Sequence, residues 1–265
     1  MDLQLEGKVA LITGASKGIG KATALAFAEE GCDVAICARD ADALAAASDE
    51  IAARGARVAA VTADVCDADD AERLIDACVR ELGGLDILIN NVGGGFGAPR
   101  LLETTDDDWR QTYEINLVQA ARMMRLAVPR IRARGGGAIV NIASISGWSP
   151  QLVGRGQYGA AKAALTFDAE RWALEFIPYR IRVNTVSPGS ILCPGNGWDL
   201  FRQKEPEMFA EYERDGFPMG RLGRPQEVAD VILFLASPRG NWINGRNIPV
   251  DGLEQPVPRR DQRPY

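Results

Sequence analysis

Thr13-Gly14-Ala15-Ser16-Lys17-Gly18-Ile19-Gly20 is the stretch of the chain that decides the fold. It follows Val9-Ala10-Leu11-Ile12, a continuous apolar run typical of a strand buried on both faces. It precedes a segment, about residues 18–30, in which apolar side chains recur at helical spacing. The stretch is therefore a strand-to-helix turn near the start of the chain.

The glycines of this turn answer a mechanical need. Gly14 lets the chain turn sharply, Gly18 lets the backbone approach a pyrophosphate, and Gly20 lets the helix pack on the strand. The helix N-terminus then presents free N–H groups and the positive end of its dipole to the phosphates. A plain tight turn is the alternative, because the 28 glycines of the chain produce chance matches. We predict dinucleotide binding by Gly14, Ser16, Lys17, Gly18, Ile19 and Gly20.

Strand-like and helix-like segments alternate along the rest of the chain. Strands are predicted at residues 9–12, 33–38, 58–62, 87–89, 138–143, 181–186 and 246–250. Helices are predicted at about 18–30, 41–54, 68–82, 106–134, 157–176 and 225–236, the fourth kinked or broken near Pro129, where proline lacks a donor. This order predicts one α/β domain, Rossmann-type and doubly wound, with a seven-stranded parallel sheet flanked by helices. The domain spans residues 1–254 and includes a substrate loop at about 190–220, and residues 255–265 form a tail.

Composition excludes several classes of function. The net charge of −6 argues against a broad surface for nucleic acid or anionic membranes. The absence of histidine excludes Ser-His-Asp or Cys-His catalysis and every histidine-ligated metal site, and we expect no metal. The five cysteines show no CxxC pairing and are expected to be reduced. No apolar run is long enough to span a bilayer, and the N-terminus lacks signal-peptide features, so a cytoplasmic address is expected.

Several ordered motifs together resemble the short-chain dehydrogenase/reductase family. The glycine turn has the family spacing TGxxxGxG, and it is followed by Asn90-Asn91-Val92-Gly93 and by Tyr158-Gly159-Ala160-Ala161-Lys162. Ser144 precedes that tyrosine, and Pro188-Gly189 and Val250-Asp251-Gly252 also match. The resemblance runs from about Leu5 to Gly252 and includes 3-oxoacyl-(acyl-carrier-protein) reductase-like members. It implies an oxidoreductase that interconverts a ketone and a secondary alcohol by hydride transfer with a nicotinamide cofactor.

The end of the second strand bears on which cofactor is used. Ala38-Arg39-Asp40 places a planar cationic fork where a 2′-phosphate would lie, and Lys17 adds a second charge. The family pattern links this basic pair to NADP(H), which we favour. Asp40 is the rival feature, since an acid there would bind the ribose hydroxyls of NAD(H). Arg39 and Lys17 as solvated surface charges are the third interpretation.

Further cofactor contacts are implied by the resemblance alone. Asp64 and Val65 would border the adenine, with Asp64 accepting a hydrogen bond from its amine. Asn91 and Gly93 would line the ribose passage, although the Asn-Asn pair would also secure its strand to neighbouring ones. Ile191 would touch the nicotinamide. Cys193 stands where the family often has a threonine that bonds the carboxamide, and a thiol is a weak donor.

Tyr158 and Lys162 form the predicted catalytic centre. They lie four residues apart on a predicted helix and therefore share a face. A nearby ammonium favours the phenolate, so we expect it to lower the pKa of Tyr158 from its ordinary value of about 10. Ser144 would bond the substrate oxygen, and Asn116 would hold a water for proton relay, as in the family. Ser144 and Tyr158 are 14 apart where 13 is common, an insertion that a loop would absorb.

The substrate pocket would be walled by residues 94–99, 148–155 and 190–218. We expect it to be apolar and to take a hydrophobic ketone or an acyl-type substrate. The aromatic residues of the last segment are typical of a lid helix that packs on its own domain. Leu165 and Phe167, taken as exposed, would permit the homodimer or homotetramer usual in the family. An NAD-dependent alcohol dehydrogenase and a non-catalytic dinucleotide sensor are the competing functions.

Overall fold

The computed structural model describes residues 1–149 and 156–254 and contains one parallel sheet of seven strands. The strands are β1 Val9–Thr13, β2 Asp33–Ala38, β3 Val58–Thr62, β4 Ile87–Asn90, β5 Gly137–Ile142, β6 Ile181–Pro188 and β7 Asn247–Val250. Their order in the sheet is β3-β2-β1-β4-β5-β6-β7, and every neighbouring pair is parallel. The order reverses between β1 and β4, which is where ligands bind in open α/β sheets.

Helices cover both faces of the sheet, which confirms the predicted doubly wound α/β class. They are α1 Gly18–Glu29, α2 Ala41–Ala52, α3 Ala68–Leu82, α4 Asp106–Tyr113, α5 Gln119–Ala133, α6 Gly156–Phe176, α7 Gly197–Lys204, α8 Pro206–Gly216 and α9 Pro225–Ala236.

Successive residues of β1 alternate between two hydrophobic clusters. Val9 and Leu11 join the cluster that contains α3, α5 and α6, whereas Ala10 and Ile12 join the one that contains α1, α2 and α9. A strand covered on both faces needs apolar residues at every position, which is why β1 is an unbroken apolar run.

The helix predicted at 106–134 is interrupted, but the predicted place of the interruption, near Pro129, is wrong. The interruption is a π-helical turn, Glu114–Val118, between α4 and α5, and α5 continues through Pro129 to Ala133. A π turn is set by local hydrogen bonding of the backbone and has no proline signature, so the sequence pattern did not indicate it.

Two smaller predictions concern the exposure of residues on α6 and the structure of the 190–220 segment. Leu165 is buried in the core, contrary to the prediction that it is exposed, whereas Phe167 is exposed. The 190–220 segment contains α7 and α8, whose aromatic residues pack on one another in a small cluster of their own, and the lid interpretation stays a prediction. No helix among the described residues is long and apolar enough to cross a membrane. The cytoplasmic address stays a prediction, and the 255–265 tail lies outside the described residues.

Candidate active site

The turn between β1 and α1 has the geometry of a phosphate site. Gly14 and Gly18 have φ of +66° and +60°, in the left-handed region that favours glycine. A Cβ on Gly20 would lie 2.5 Å from the carbonyl oxygen of Gly14, so only glycine allows this close packing. Lys17 is the N-cap residue of α1, and its side chain makes no capping hydrogen bond. The Lys17 side chain therefore leaves the start of α1 uncapped, as suits an anionic ligand, although the Ile19 N–H is hydrogen-bonded to the Cys193 Sγ.

Asn91, which directly follows β4, braces this turn. Its Nδ2 donates to the carbonyl oxygens of Thr13 at 2.9 Å and Gly14 at 3.1 Å. Its backbone N–H donates to the Thr13 hydroxyl at 3.0 Å. Asn90 likewise donates to Asn141 on β5 at 2.9 Å. The strand-securing interpretation of the Asn-Asn pair is thus confirmed, and it leaves the turn rigid.

The charged side chains near the end of β2 differ in their hydrogen bonds and ion pairs. The Asp40 carboxylate accepts a hydrogen bond from the backbone N–H of Ala43 at 3.1 Å and caps α2. The Arg39 guanidinium is exposed and forms a long ion pair with the Asp64 carboxylate, at 3.8 Å between Nη1 and Oδ2. Lys17 is also exposed, and within residues 1–149 and 156–254 it forms no ion pair. Asp40 thus has a structural role as the N-cap of α2, whereas the Arg39 and Lys17 side chains are exposed.

Asp64 and Val65 lie just past β3, close to the same end of the sheet. The Asp64 carboxylate accepts from the Cys66 backbone N–H at 3.0 Å, and Val65 is buried in the core. Arg122 donates to the Val65 carbonyl oxygen at 2.9 Å and fixes this turn from α5.

A cavity of about 350 Å³ brings together three of the four predicted catalytic residues, and Asn116 is not among the residues that line it. Ser144, Tyr158 and Lys162 line it together with four residues predicted to contact the cofactor or flank its site, namely Ile19, Asn91, Gly93 and Ile191. The Ser144 and Tyr158 hydroxyls are hydrogen-bonded to each other. The extra residue between them thus leaves their geometry intact, although residues 150–155 of the intervening segment lie outside the described part.

Lys162 is buried beneath the tyrosine. Its Nζ lies 5.8 Å from the centroid of the Tyr158 ring and donates to the Ile142 carbonyl oxygen at 2.7 Å. A Cβ on Gly93 would lie 2.8 Å from this nitrogen, so a larger residue there would have to displace the Lys162 side chain.

Asn116 lies in the π-helical turn and is buried. Its Nδ2 donates to the carbonyl oxygens of Gly94 at 2.5 Å and Thr112 at 2.7 Å, and its Oδ1 accepts from the Gly94 N–H at 3.1 Å. These bonds hold the segment after β4 against α4 and the π-helical turn. Gln157 of α6 also holds this segment, by donating to the carbonyl oxygen of Phe96 at 2.7 Å.

The pKa of Tyr158 shifts in the direction opposite to the predicted one. Burial raises it, and the hydrogen bond from Ser144 offsets only part of that effect. Burial also lowers the pKa of Lys162 to about 7, because a low-dielectric environment disfavours the ammonium. A lysine that is charged for only part of the time at neutral pH stabilises a phenolate weakly. In this form the tyrosine therefore holds its proton and is suited to donate it.

The lowered pKa of Lys162 predicts a pH-dependent stability. The folded chain releases this proton near pH 7, whereas the unfolded chain keeps it up to about pH 10.5. Between pH 7 and 9 the unfolded state binds more protons, so the free energy of unfolding of the ligand-free protein should rise by about 2 kcal/mol from this group. Urea denaturation of the wild type and Lys162→Met at both pH values measures it, and the change from pH 7 to 9 should be about 2 kcal/mol more positive in the wild type than in the variant.

Buried thiols limit the pH range over which the free energy of unfolding rises. Burial raises the pKa values of Cys32, Cys37 and Cys78 to about 12, so above pH 9 they ionise only in the unfolded chain and stability falls. Equal changes in stability for the wild type and Lys162→Met between pH 7 and 9 would contradict the assignment.

The sequence did not point to several residues of the cavity. Its far wall carries Ser190, Asn196, Trp198 and Glu254, and it is more polar than the apolar pocket we expected. Cys193 lies on the cofactor side, its Sγ 3.5 Å from where a Cβ on Gly18 would be. Pro188-Gly189 was the nearest signal for Ser190, whereas Glu254 follows the last motif as a single unremarkable acid.

Comparison with known proteins gives consistent relatives. Residues 14–252 match the family described as Enoyl-(Acyl carrier protein) reductase. The 3-oxoacyl-(acyl-carrier-protein) reductase of Thermotoga maritima is 36% identical, over 94% of this chain and 98% of its own. L-sorbose reductase of Gluconobacter frateurii, solved with NADPH and L-sorbose, has a TM-score of 0.88 and 35% identity over 95% of this chain and 98% of its own. A 7α-hydroxysteroid dehydrogenase solved with NADH and a 7-oxo bile acid has a TM-score of 0.86 and 33% identity, covering 95% of each chain.

The fold, the site and these relatives define an oxidoreductase that acts on alcohols or ketones with a nicotinamide cofactor. The chain belongs to the short-chain dehydrogenase/reductase family. The relatives include both NADPH and NADH complexes, so kinship alone does not choose the cofactor.

Proposed function

We propose that the protein is an NADP(H)-dependent oxidoreductase that interconverts a ketone and a secondary alcohol, with Tyr158 as general acid and base. The observation that carries the proposal is the hydrogen-bonded Ser144–Tyr158 pair over buried Lys162, in a cavity continuous with the glycine turn. Burial of the Lys162 amine beside Tyr158 costs stability, and a protein that only binds the dinucleotide does not require it.

The protein's own groups account for the proton side of the reaction. When bound, the dinucleotide supplies hydride to the carbonyl carbon in reduction and takes it back in oxidation. Ser144 donates a hydrogen bond to the carbonyl oxygen and stabilises the charge that develops there. Tyr158 transfers its proton to that oxygen and completes the alcohol. Lys162, with a pKa of about 7, can exchange protons at neutral pH and returns one to the phenolate. Asn116 positions the segment beside this cluster and is proposed to hold the relay water.

The preference for NADP(H) rests on the end of β2. Arg39 and Lys17 present exposed cations, and a guanidinium bonds a phosphate with two parallel donors. Asp40, which an NAD enzyme would direct at the ribose, caps α2 instead. We propose that Asp64 and Val65 border the adenine, that Asn91 and Gly93 line the ribose passage, and that Ile191 touches the nicotinamide. An NAD-dependent dehydrogenase is the alternative, supported by the NADH complex of the steroid enzyme.

The remaining proposals concern assembly. Phe167 and Leu174 on α6 are 76% and 68% exposed, and pairing of this helix with a second copy would bury them. We propose a homodimer or homotetramer on this basis, as sequence resemblance also implied.

A coupled assay tests the proposed function. Ketones of graded size and polarity are added to the protein with NADPH or NADH, and loss of the reduced-nicotinamide absorbance is followed. We expect turnover with NADPH to exceed turnover with NADH for every ketone that is reduced. Oxidation of neither cofactor with any carbonyl would contradict the proposal.

A further inference from the structure

The carboxylate of Glu254 is an unassigned polar group in the wall of the catalytic cavity. Glu254 follows β7 and is half-buried, and its Oε1 accepts from the Ser190 hydroxyl at 2.5 Å. Its Oε2 accepts from the Ser190 backbone N–H. The end of β7 is thereby joined to the first residue after Pro188-Gly189, and both residues line the cavity that Ser144 and Tyr158 also line.

Glu254 has no cationic partner among residues 1–149 and 156–254. Burial raises the pKa of its carboxyl, and Asp251 nearby raises it further, against the two bonds from Ser190. A carboxylate has about four lone-pair sites, and Ser190 occupies one on each oxygen. The remaining acceptor positions are therefore available to a donor in the cavity.

An apolar substrate would be a poor occupant of this wall. It would remove water from the free acceptors of Glu254 without replacing the hydrogen bonds, which costs free energy. Asn196 and Ser190 add further polar groups, and Trp198 supplies a flat apolar surface held by stacking on Tyr212 at 5.7 Å. Several polar groups beside one aromatic ring suit a small molecule that carries hydroxyls along a short carbon chain.

We infer that the substrate is a small hydroxylated ketone, or the polyol formed from it, and that Glu254 determines this specificity by accepting a hydrogen bond from a substrate hydroxyl. The inference rests on the proposed function, because the carbonyl is taken to face Tyr158 while the hydroxyl faces Glu254. A hydroxyl can donate to the carboxylate and accept from the protonated acid, so it fits either form. An ammonium fits only the ionised form. The cavity of about 350 Å³ would hold both the nicotinamide ring and the substrate, which favours a small substrate.

Two ketones of equal size test the inference. Hydroxyacetone and 2-butanone differ by one hydroxyl in place of one methyl. The change in the ratio of their kcat/KM values between the wild type and a Glu254 variant reports the hydroxyl contact, because the difference in intrinsic reactivity of the two ketones is the same for both proteins. We expect the wild type to prefer hydroxyacetone by about tenfold or more, as a hydrogen bond to a charged group gives. In Glu254→Leu the ratio should fall by about tenfold from its wild-type value, and in Glu254→Gln, which keeps one acceptor oxygen, it should lie between.

Control variants separate substrate recognition from the link to Ser190. Ser190→Ala removes the hydroxyl but keeps the carboxylate, and it should retain the preference for hydroxyacetone. Glu72→Gln changes an exposed carboxylate on α3 and should leave the ratio unchanged. NADPH affinity measured for Glu254→Leu reports whether the loop after β6 still holds the cofactor. A loss of preference in Ser190→Ala equal to that in Glu254→Leu would assign Glu254 to loop positioning and overturn the inference.

The outcomes also separate the inference from the proposed function. Equal kcat/KM for the two ketones, or an unchanged ratio in Glu254→Leu, overturns the inference while ketone reduction stands. Reduction of larger apolar ketones but not of hydroxyacetone, or a preference for aminoacetone over hydroxyacetone, does the same. If no carbonyl compound supports NADPH oxidation, the proposed function is overturned and the inference with it.

Discussion

Tyr158→Phe is expected to lower kcat by at least about a hundredfold, because general acid catalysis contributes about 10²–10⁴ to such rates. The variant keeps the ring that packs over Lys162 and loses only the hydroxyl bonded to Ser144. NADPH affinity should therefore stay within about twofold of the wild type, since a single neutral hydrogen bond is a small part of dinucleotide binding. Stopped-flow or steady-state NADPH oxidation and fluorescence titration measure the two quantities separately.

Tyr179→Phe is the matched control for this substitution. Tyr179 stacks on Phe176 outside the cavity, with the Arg132 guanidinium 4.6 Å from its ring centroid, and none of these contacts needs the hydroxyl. We expect this variant to have wild-type kcat. If Tyr158→Phe retained more than about a tenth of the wild-type kcat, the proton donor would have to be another group.

Arg39→Ala is expected to weaken NADPH binding by about ten- to a hundredfold and NADH binding by less than about twofold. Loss of charge-assisted bonds between the Arg39 guanidinium and the 2′-phosphate accounts for a change of this size in NADPH binding. NADH has no 2′-phosphate, so its binding does not depend on these bonds. The ratio of the two dissociation constants is the informative quantity, because a general disturbance of the site would weaken both cofactors alike.

Arg80→Ala provides the control for this loss of charge. Arg80 is exposed on α3 and pairs with Glu81 at 2.7 Å, away from the end of β2. Its removal changes the net charge by the same amount and should leave the NADPH to NADH ratio unchanged. Equal weakening of both cofactors in Arg39→Ala, or tighter binding of NADH by the wild type, would contradict the NADP(H) preference.

Most of the fold was predictable because its signals are local or periodic. The glycine turn, the unbroken apolar strands and the helical spacing placed β2, β3, α3 and α9 at their observed bounds. The π-helical turn at Glu114–Val118 and the burial of Leu165 were not predictable. Both depend on how α4, α5 and α6 pack on one another, and that packing leaves no pattern in a single sequence.

The candidate site divides in the same way. Ser144, Tyr158 and Lys162 belong to motifs with fixed spacing, and the structure brings them into one cavity. The pKa direction of Tyr158 could not be predicted, because spacing gives the lysine as a neighbour but not the burial that outweighs it. Glu254 could not be found either. Its place in the cavity follows from β7 lying beside β6 in the sheet, a contact between segments about 60 residues apart.

The central claim is that a dinucleotide lies across the β1–β4 crevice with its nicotinamide beside Tyr158, and a crystal structure of the NADP⁺ complex tests it most directly. We expect the pyrophosphate at the N-terminus of α1, the 2′-phosphate between Arg39 and Lys17, and the nicotinamide ring in the cavity between Ile191 and the Tyr158 hydroxyl. A dinucleotide bound elsewhere, or a ring separated from that hydroxyl by intervening protein, would contradict the account.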